Sequence, residues 1–178
     1  MLDMNLFPNA KEITESFAAY EAVRQRLFRH FQFADPKVVM IAVGDGSTPR
    51  TGATFAYRSR WQCHSVDPIL APKTRWAAID RLHIHRKKIE ECSREDFSIT
   101  DDSTVVVAAV HSHAPLPLCT SVIGRVRRLA IVAIPCCVKL LIPEPSAEVY
   151  DDKSILSPHK TVTIWDMKDA DQPQTVGG

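Results

Sequence analysis

Two groups of residues in this chain have types and spacing suited to chemistry. Gly44 and Gly46 flank Asp45 directly after the apolar run Val38-Val39-Met40-Ile41-Ala42-Val43, and Asp67 stands 21 positions beyond Gly46. Glycine lets backbone turn sharply and approach a ligand with no Cβ between them. An aspartate about 20 residues past such a loop can accept hydrogen bonds from ribose hydroxyls. The competing roles are a structural turn for the glycines and a capping or turn residue before Pro68 for Asp67. The second group is His111 and His113, at the end of the run Thr104–Val110. If strand geometry persists, residues two apart point the same way, and imidazole titrates close enough to neutrality to serve as a general base. Ordinary strand-end histidines are the alternative.

These residues need rigid elements behind them. Val38–Val43 and Thr104–Val110 read as continuous apolar runs, the pattern of parallel strands buried on both faces. Further strands are expected over 62–66, 82–89 and 129–134, with a closing antiparallel pair over 147–151 and 161–167. Asn9 to about Phe31 reads as an amphipathic helix, with Asn9 as its cap, Glu12 completing a capping box, and Ile13, Phe17, Tyr20, Leu27 and Phe31 on one face. Thr51 to Arg60 predicts a second helix, whose first-turn amides and positive dipole end would suit an anionic group. Helical segments are also expected over 72–80 and 117–128. The sum is an α/β chain with a doubly wound Rossmann-like, mostly parallel sheet and a C-terminal antiparallel hairpin. One domain over 1–170 and a disordered tail over 171–178 are expected. The carboxyl edge of the sheet would collect Gly44 to Thr48, Asp67, Lys88 to Glu90, His111 to His113 and Pro135 to Cys137.

Composition narrows the function classes. With 178 residues, 45% apolar and 24% charged, the chain fits an ordinary globular protein with one sizeable core. A net charge of +1 offers no global attraction to nucleic acid or membrane, and the local clusters at Arg58 and Arg60, Arg86-Lys87-Lys88 and Arg125, Arg127 and Arg128 read first as solvated faces. No apolar run is long enough to span a bilayer, and the amino terminus lacks a signal-peptide pattern, so a cytoplasmic setting without membrane contact is expected. The five cysteines are scattered without C-x-x-C spacing, which points to reduced thiols. Cys136 and Cys137 read as core filling plus one site-facing thiol. His83 and His85 form a second H-x-H pair, but no carboxylate or thiolate partners stand at diagnostic spacing, so no metal site is assigned. A phosphate-cradling P-loop is disfavoured because no Gly-Lys-Ser/Thr ending follows the loop. A nicotinamide site is weakened by Arg50 or Thr51 where another glycine would fall.

Taken together, Val39 to Gly46, then Ser65-Val66-Asp67, the strand reaching His111, and Ile134-Pro135-Cys136-Cys137 resemble class I S-adenosylmethionine-dependent methyltransferases. The resemblance runs from about Val38 to Met167, and within it the strand-five Pro-Cys-Cys is similar to a branch that includes RNA-modifying enzymes. It implies S-adenosylmethionine as cofactor, with Gly44, Asp45, Gly46 and the following Ser47 around its methionine part. It likewise implies Asp67 on the ribose, Ile89 or Glu90 by the adenine, and His111, with His113 as neighbour, beside the transferred methyl group. Three positions depart from the family pattern: Ala42 where an acid usually precedes the first glycine, Thr48 in place of the third glycine, and the basic Arg86-Lys87-Lys88 after strand three. They motivate an alternative, a non-catalytic Rossmann-like module that binds a cofactor or a protein. The chain has little material for a substrate domain, so a homo-oligomer or partner protein is expected to complete the acceptor site, with RNA among the candidate acceptors.

Overall fold

The computed structural model describes residues 5–136 and 148–168. Its centre is a seven-stranded sheet in the order β3-β2-β1-β4-β5-β7-β6. The strands are β1 (Val38–Val43), β2 (Gln62–Val66), β3 (Leu82–His85), β4 (Thr104–Val110), β5 (Arg128–Ile134), β6 (Glu148–Asp151) and β7 (Thr161–Lys168). The first five run parallel, and β7 inserts antiparallel between β5 and β6. The mostly parallel sheet with an antiparallel close is the architecture expected. Ala147 of the expected hairpin, Cys137 and the tail over 171–178 lie outside the described residues.

Alternation along the strands divides the apolar residues between two layers. Met40, Ala42, Val106, Ala108, Val132 and Ile164 face one core, with Tyr20, Phe55 and Trp61 packed over them. Val39, Ile41, Val43, Val107, Ile131 and Trp165 face the other, under Phe97, Leu116 and Ile123. α1 (Ala10–Ala22) and α2 (Arg50–Arg58) contribute to the first layer, and α3 (Leu116–Ile123) to the second. A fully buried side chain of this kind contributes about 1.5–3 kcal/mol through removal of apolar surface from water.

Several expectations are corrected in detail. The long first helix becomes α1 followed by a π-helical turn at Val23–Leu27. Its Asn9 cap forms, Oδ1 accepting from the Glu12 amide at 3.1 Å. The Glu12 carboxylate, however, pairs with Arg50 Nε at 3.3 Å, so the two-way capping box is replaced by a link to α2. The buried side of α1 is Glu15, Ser16, Ala18, Ala19, Tyr20 and Ala22, whereas Ile13 and Phe17 are only half-buried. Small residues win that face because α1 packs closely against α2, with Ser16 Oγ 3.4 Å from Thr51 Oγ1.

The crossover after β2 holds a single 3₁₀ turn, Lys73–Trp76, in place of the helical segment expected over 72–80, and the one after β3 holds two short 3₁₀ turns, Ile89–Glu91 and Glu95–Phe97. β3 ends at His85 and not at Ile89. Beyond it Arg86 Nε donates to Leu70 O at 2.7 Å, Lys87 pairs with Asp96, and the Lys88 amide is capped by Glu91, which bends the chain out of the sheet. No helix among the described residues is long and apolar enough to cross a membrane.

Candidate functional site

The parallel strands deliver their carboxyl ends to one cavity of about 530 Å³, within the range of small-molecule and cofactor sites. Val43, Gly44, Gly46 and Arg50 line it from β1 and α2. Val66, Asp67 and Pro68 come from the end of β2, Lys87 to Glu90 from beyond β3, and His111, His113, Ala114 and Pro115 from beyond β4.

The glycine loop needs its glycines. Gly44 has φ +67° and Gly46 φ +80°, backbone that costs an L side chain about 1–2 kcal/mol. A Cβ on Gly44 would collide with the Ser112 side chain and lie 3.2 Å from its Cα. The loop is tied down on three sides. The Gly44 amide donates to Val66 O at 2.8 Å, the Gly46 amide to Asp67 Oδ2 at 3.0 Å, and Thr48 Oγ1 to Leu6 O at 2.7 Å. Thr48, at the position of the missing third glycine, is thus an anchor to the segment before α1. Asp67 Oδ1 also accepts from the Ile69 amide at 3.0 Å, so this carboxylate closes the turn after β2 while facing the cavity.

Asp45 has a different task from the one expected. It is 3% exposed, and its carboxylate accepts from the Thr51 amide at 2.9 Å, the Gly52 amide at 3.0 Å and Ser65 Oγ at 2.7 Å. Pro49, the residue before α2, offers no side-chain cap, and Asp45 supplies one from the loop. Its carboxylate is therefore committed to the fold. Asp45 and the exposed Ser47 are not among the cavity-lining residues.

The same contacts correct the expectation of an anion site at the start of α2. The Arg50 amide donates to Thr48 O, Thr51 and Gly52 to Asp45, and Ala53 to Pro49 O, so the first-turn donors are occupied. The cationic group presented there is the Arg50 guanidinium itself. It is anchored by Glu12 and lies against Gly46, where a Cβ would stand 3.0 Å from Nη1. Ile89 and Glu90 reach the cavity as expected, Ile89 buried and Glu90 exposed.

His111 leaves the strand with φ +50°, an uncommon conformation for a residue other than glycine. Its amide still donates to Ile134 O at 2.9 Å. The turn replaces the simple strand alternation expected for His111 and His113, yet both line the cavity. His111 Nε2 stands 2.8 Å from Oε1 of Glu15, a residue 1% exposed on α1. Burial lowers the His111 pKa below the ordinary histidine value and outweighs the attraction of Glu15, while Lys11 and His159 push in the same direction as burial. The direction of this shift favours the uncharged imidazole, the form that can accept a proton. His113 is exposed, with Nε2 3.6 Å from Cys136 Sγ, and Cys136 is not among the residues lining the cavity.

The two H-x-H pairs do not meet in one cavity. His83 and His85 stack with His64 on the β2–β3 edge, and His64 Nδ1 lies 2.9 Å from His85 Nε2. His83 and His64 border a separate cavity of about 370 Å³. The basic clusters are largely tied internally: Lys87 to Asp96, Arg127 to Thr104, and Arg128 to both oxygens of Asp166.

Sequence reading missed Glu15 and Arg50. Glu15 did carry a signal, because it continues the stripe Ala18, Ala19 and Ala22 at helical spacing. A carboxylate in a stripe of small residues requires a partner. Arg50 could be placed only once the loop before it was seen folded back on Gly46.

No protein-family model and no curated protein matches the chain. Among solved structures, it is similar to a mutant of MtNAS in complex with S-adenosylmethionine. That superposition has a TM-score of 0.54 and 11% identity, over 85% of this chain and 62% of that one. It is also similar to magnesium protoporphyrin IX methyltransferase (ChlM) from Synechocystis PCC 6803 with bound SAM, with a TM-score of 0.52 and 10% identity over 86% of this chain and 79% of that one. At such identities the likeness is one of fold, and the fold is the Rossmann-like one of class I S-adenosylmethionine-dependent methyltransferases. The chain spans less than two thirds of the MtNAS length.

Proposed function

We propose that this protein is a methyltransferase that holds S-adenosylmethionine in the cavity at the carboxyl edge of its sheet. One observation carries the reading: the strand ends and the start of α2 bring the Asp67 carboxylate, bare glycine backbone, the Arg50 guanidinium and the His111 imidazole around a single cavity. The residues fit the cofactor's chemistry. Asp67 retains lone pairs for ribose hydroxyls beyond the two amide bonds it accepts. Gly44 and Gly46 leave room for the methionine part, and Arg50 answers its carboxylate. Ile89 gives an apolar wall for the adenine, with Glu90 at its edge.

When bound, the sulfonium supplies an electrophilic methyl group. Alignment is then the main demand on the protein, together with a base where the acceptor must lose a proton. His111 meets that demand by taking the acceptor's proton on its neutral ring, and the resulting imidazolium is stabilised by Glu15. His113 and Pro115 border the acceptor's side of the cavity.

The acceptor class follows from transfer of a labelled methyl group to fractionated RNA, protein and small-molecule pools. Label that enters one pool and disappears with His111→Ala supports the enzyme and names its acceptor. Cofactor binding with no transfer to any pool supports the non-catalytic module. An RNA acceptor further requires binding that weakens steeply with salt. The short crossovers support an acceptor site completed by a second copy or a partner protein, and sedimentation as a clean monomer with full activity would contradict that part.

A further inference from the structure

Glu15, 1% exposed, is not explained by packing alone. Its carboxylate sits among small side chains on the inner face of α1. A buried carboxylate is strongly disfavoured unless charged or hydrogen-bonding partners compensate it. Two groups reach Oε1: His111 Nε2 at 2.8 Å and, from the adjacent turn, Lys11 Nζ at 3.4 Å. Glu15 Oε1 and His111 Nε2 are both buried and, among the described residues, neither meets hydrogen-bond geometry with any partner, so the two meet at ion-pair distance. The pairing joins α1, which has no residue among those lining the cavity, to the turn beyond β4. It also gives a reason for the left-handed backbone of His111, since strain of about 1–3 kcal/mol persists where surrounding contacts hold it.

We propose that Glu15 is a positioning residue, which holds the proton of neutral His111 on Nε2 and so leaves the Nδ1 lone pair as the base. An ionised carboxylate can only accept hydrogen bonds, so the nitrogen facing it is the one that carries hydrogen. Once Nδ1 takes a proton from the acceptor, the imidazolium gains the attraction of Glu15 at the moment of proton transfer. Lys11 opposes it, and so does the exposed ring of His159, 6.0 Å from His111 centroid to centroid. Glu15 therefore acts through His111, and Lys11 sets how strongly.

The proposal rests on the reading of His111 as base, but its test needs neither cofactor nor acceptor. The imidazole nitrogens of the full chain are followed by ¹⁵N NMR across pH, with His111 assigned by its loss in His111→Gln. In the wild type, neutral His111 is expected as the Nε2–H tautomer. In Glu15→Gln its pKa should fall by about one unit as the carboxylate's attraction is lost. In Lys11→Gln, a change at an exposed side chain, it should rise. An Nδ1–H tautomer in the wild type, or an unmoved titration in both variants with the fold intact by circular dichroism, would overturn the proposal. Failure of the methyltransferase reading would appear separately, as absent cofactor binding by a wild-type chain whose His111 titrates as described.

Discussion

Asp67 reaches back from the end of β2 to accept a hydrogen bond from the Gly46 amide at 3.0 Å, so the acidic residue that faces the cavity also holds the glycine loop in shape. Gly46→Ala tests that arrangement. At φ +80° the added methyl costs about 1–2 kcal/mol of backbone strain and crowds Arg50 Nη1. The variant is expected to melt lower than wild type and to bind S-adenosylhomocysteine more weakly. Unchanged affinity would show that the loop does not shape the cofactor site.

Asp45 looks like a ligand contact in the sequence but serves as a cap in the structure. Asp45→Ala strips the acceptor from two amides of α2 and from Ser65 Oγ, and is expected to cost about 2 kcal/mol in urea unfolding. Loss of cofactor affinity with undiminished stability would instead return Asp45 to the site.

The strands around this loop were legible because they are buried on both faces. β1 and β4 fall at 38–43 and 104–110, as the apolar runs indicate, and β2 falls at 62–66 as expected. Asp67 was legible because its place after a strand end depends only on local spacing. Asp45, Arg50 and Glu15 were not, because their roles come from residues distant in sequence or from backbone amides that a list of side chains does not display. The segment over 72–80 was over-read as helix, and the third strand was over-read past His85, where the Arg86 and Lys87 side chains bond to neighbouring loops.

Trp61 illustrates the same limit in the core. Its ring stacks on Phe33 with centroids 4.8 Å apart, and Nε1 donates to Gln32 O at 2.9 Å. Trp61→Ala is expected to cost about 3–5 kcal/mol by chemical denaturation. Trp61→Phe should cost clearly less, since it keeps most of the packing and loses the hydrogen bond. Equal losses for the two variants would place the stabilisation in the hydrogen bond.

Acid should weaken the β2–β3 edge. Burial pushes His64 down to about 3 from an ordinary value of 6.5, and His83 and His85 are lowered too, again chiefly by burial. A histidine whose pKa is depressed on folding stabilises the native state above its unfolded pKa. That contribution falls away as pH drops from about 6.5 towards 3, because the unfolded chain binds the proton first. Urea midpoints measured across this window should decline, and His64→Gln should flatten the decline. An identical slope in the variant would contradict the assignment to His64.

The most direct measurement is calorimetric titration of the folded protein with S-adenosylmethionine, S-adenosylhomocysteine and, as a control, NAD. The account predicts saturable binding of the first two and none of NAD. Asp67→Ala should lower affinity about 10- to 100-fold, the loss expected for hydrogen bonds to a charged acceptor. Silence with all three ligands from folded protein would contradict the cofactor assignment, and binding indifferent to Asp67→Ala would contradict the role of Asp67 on the ribose.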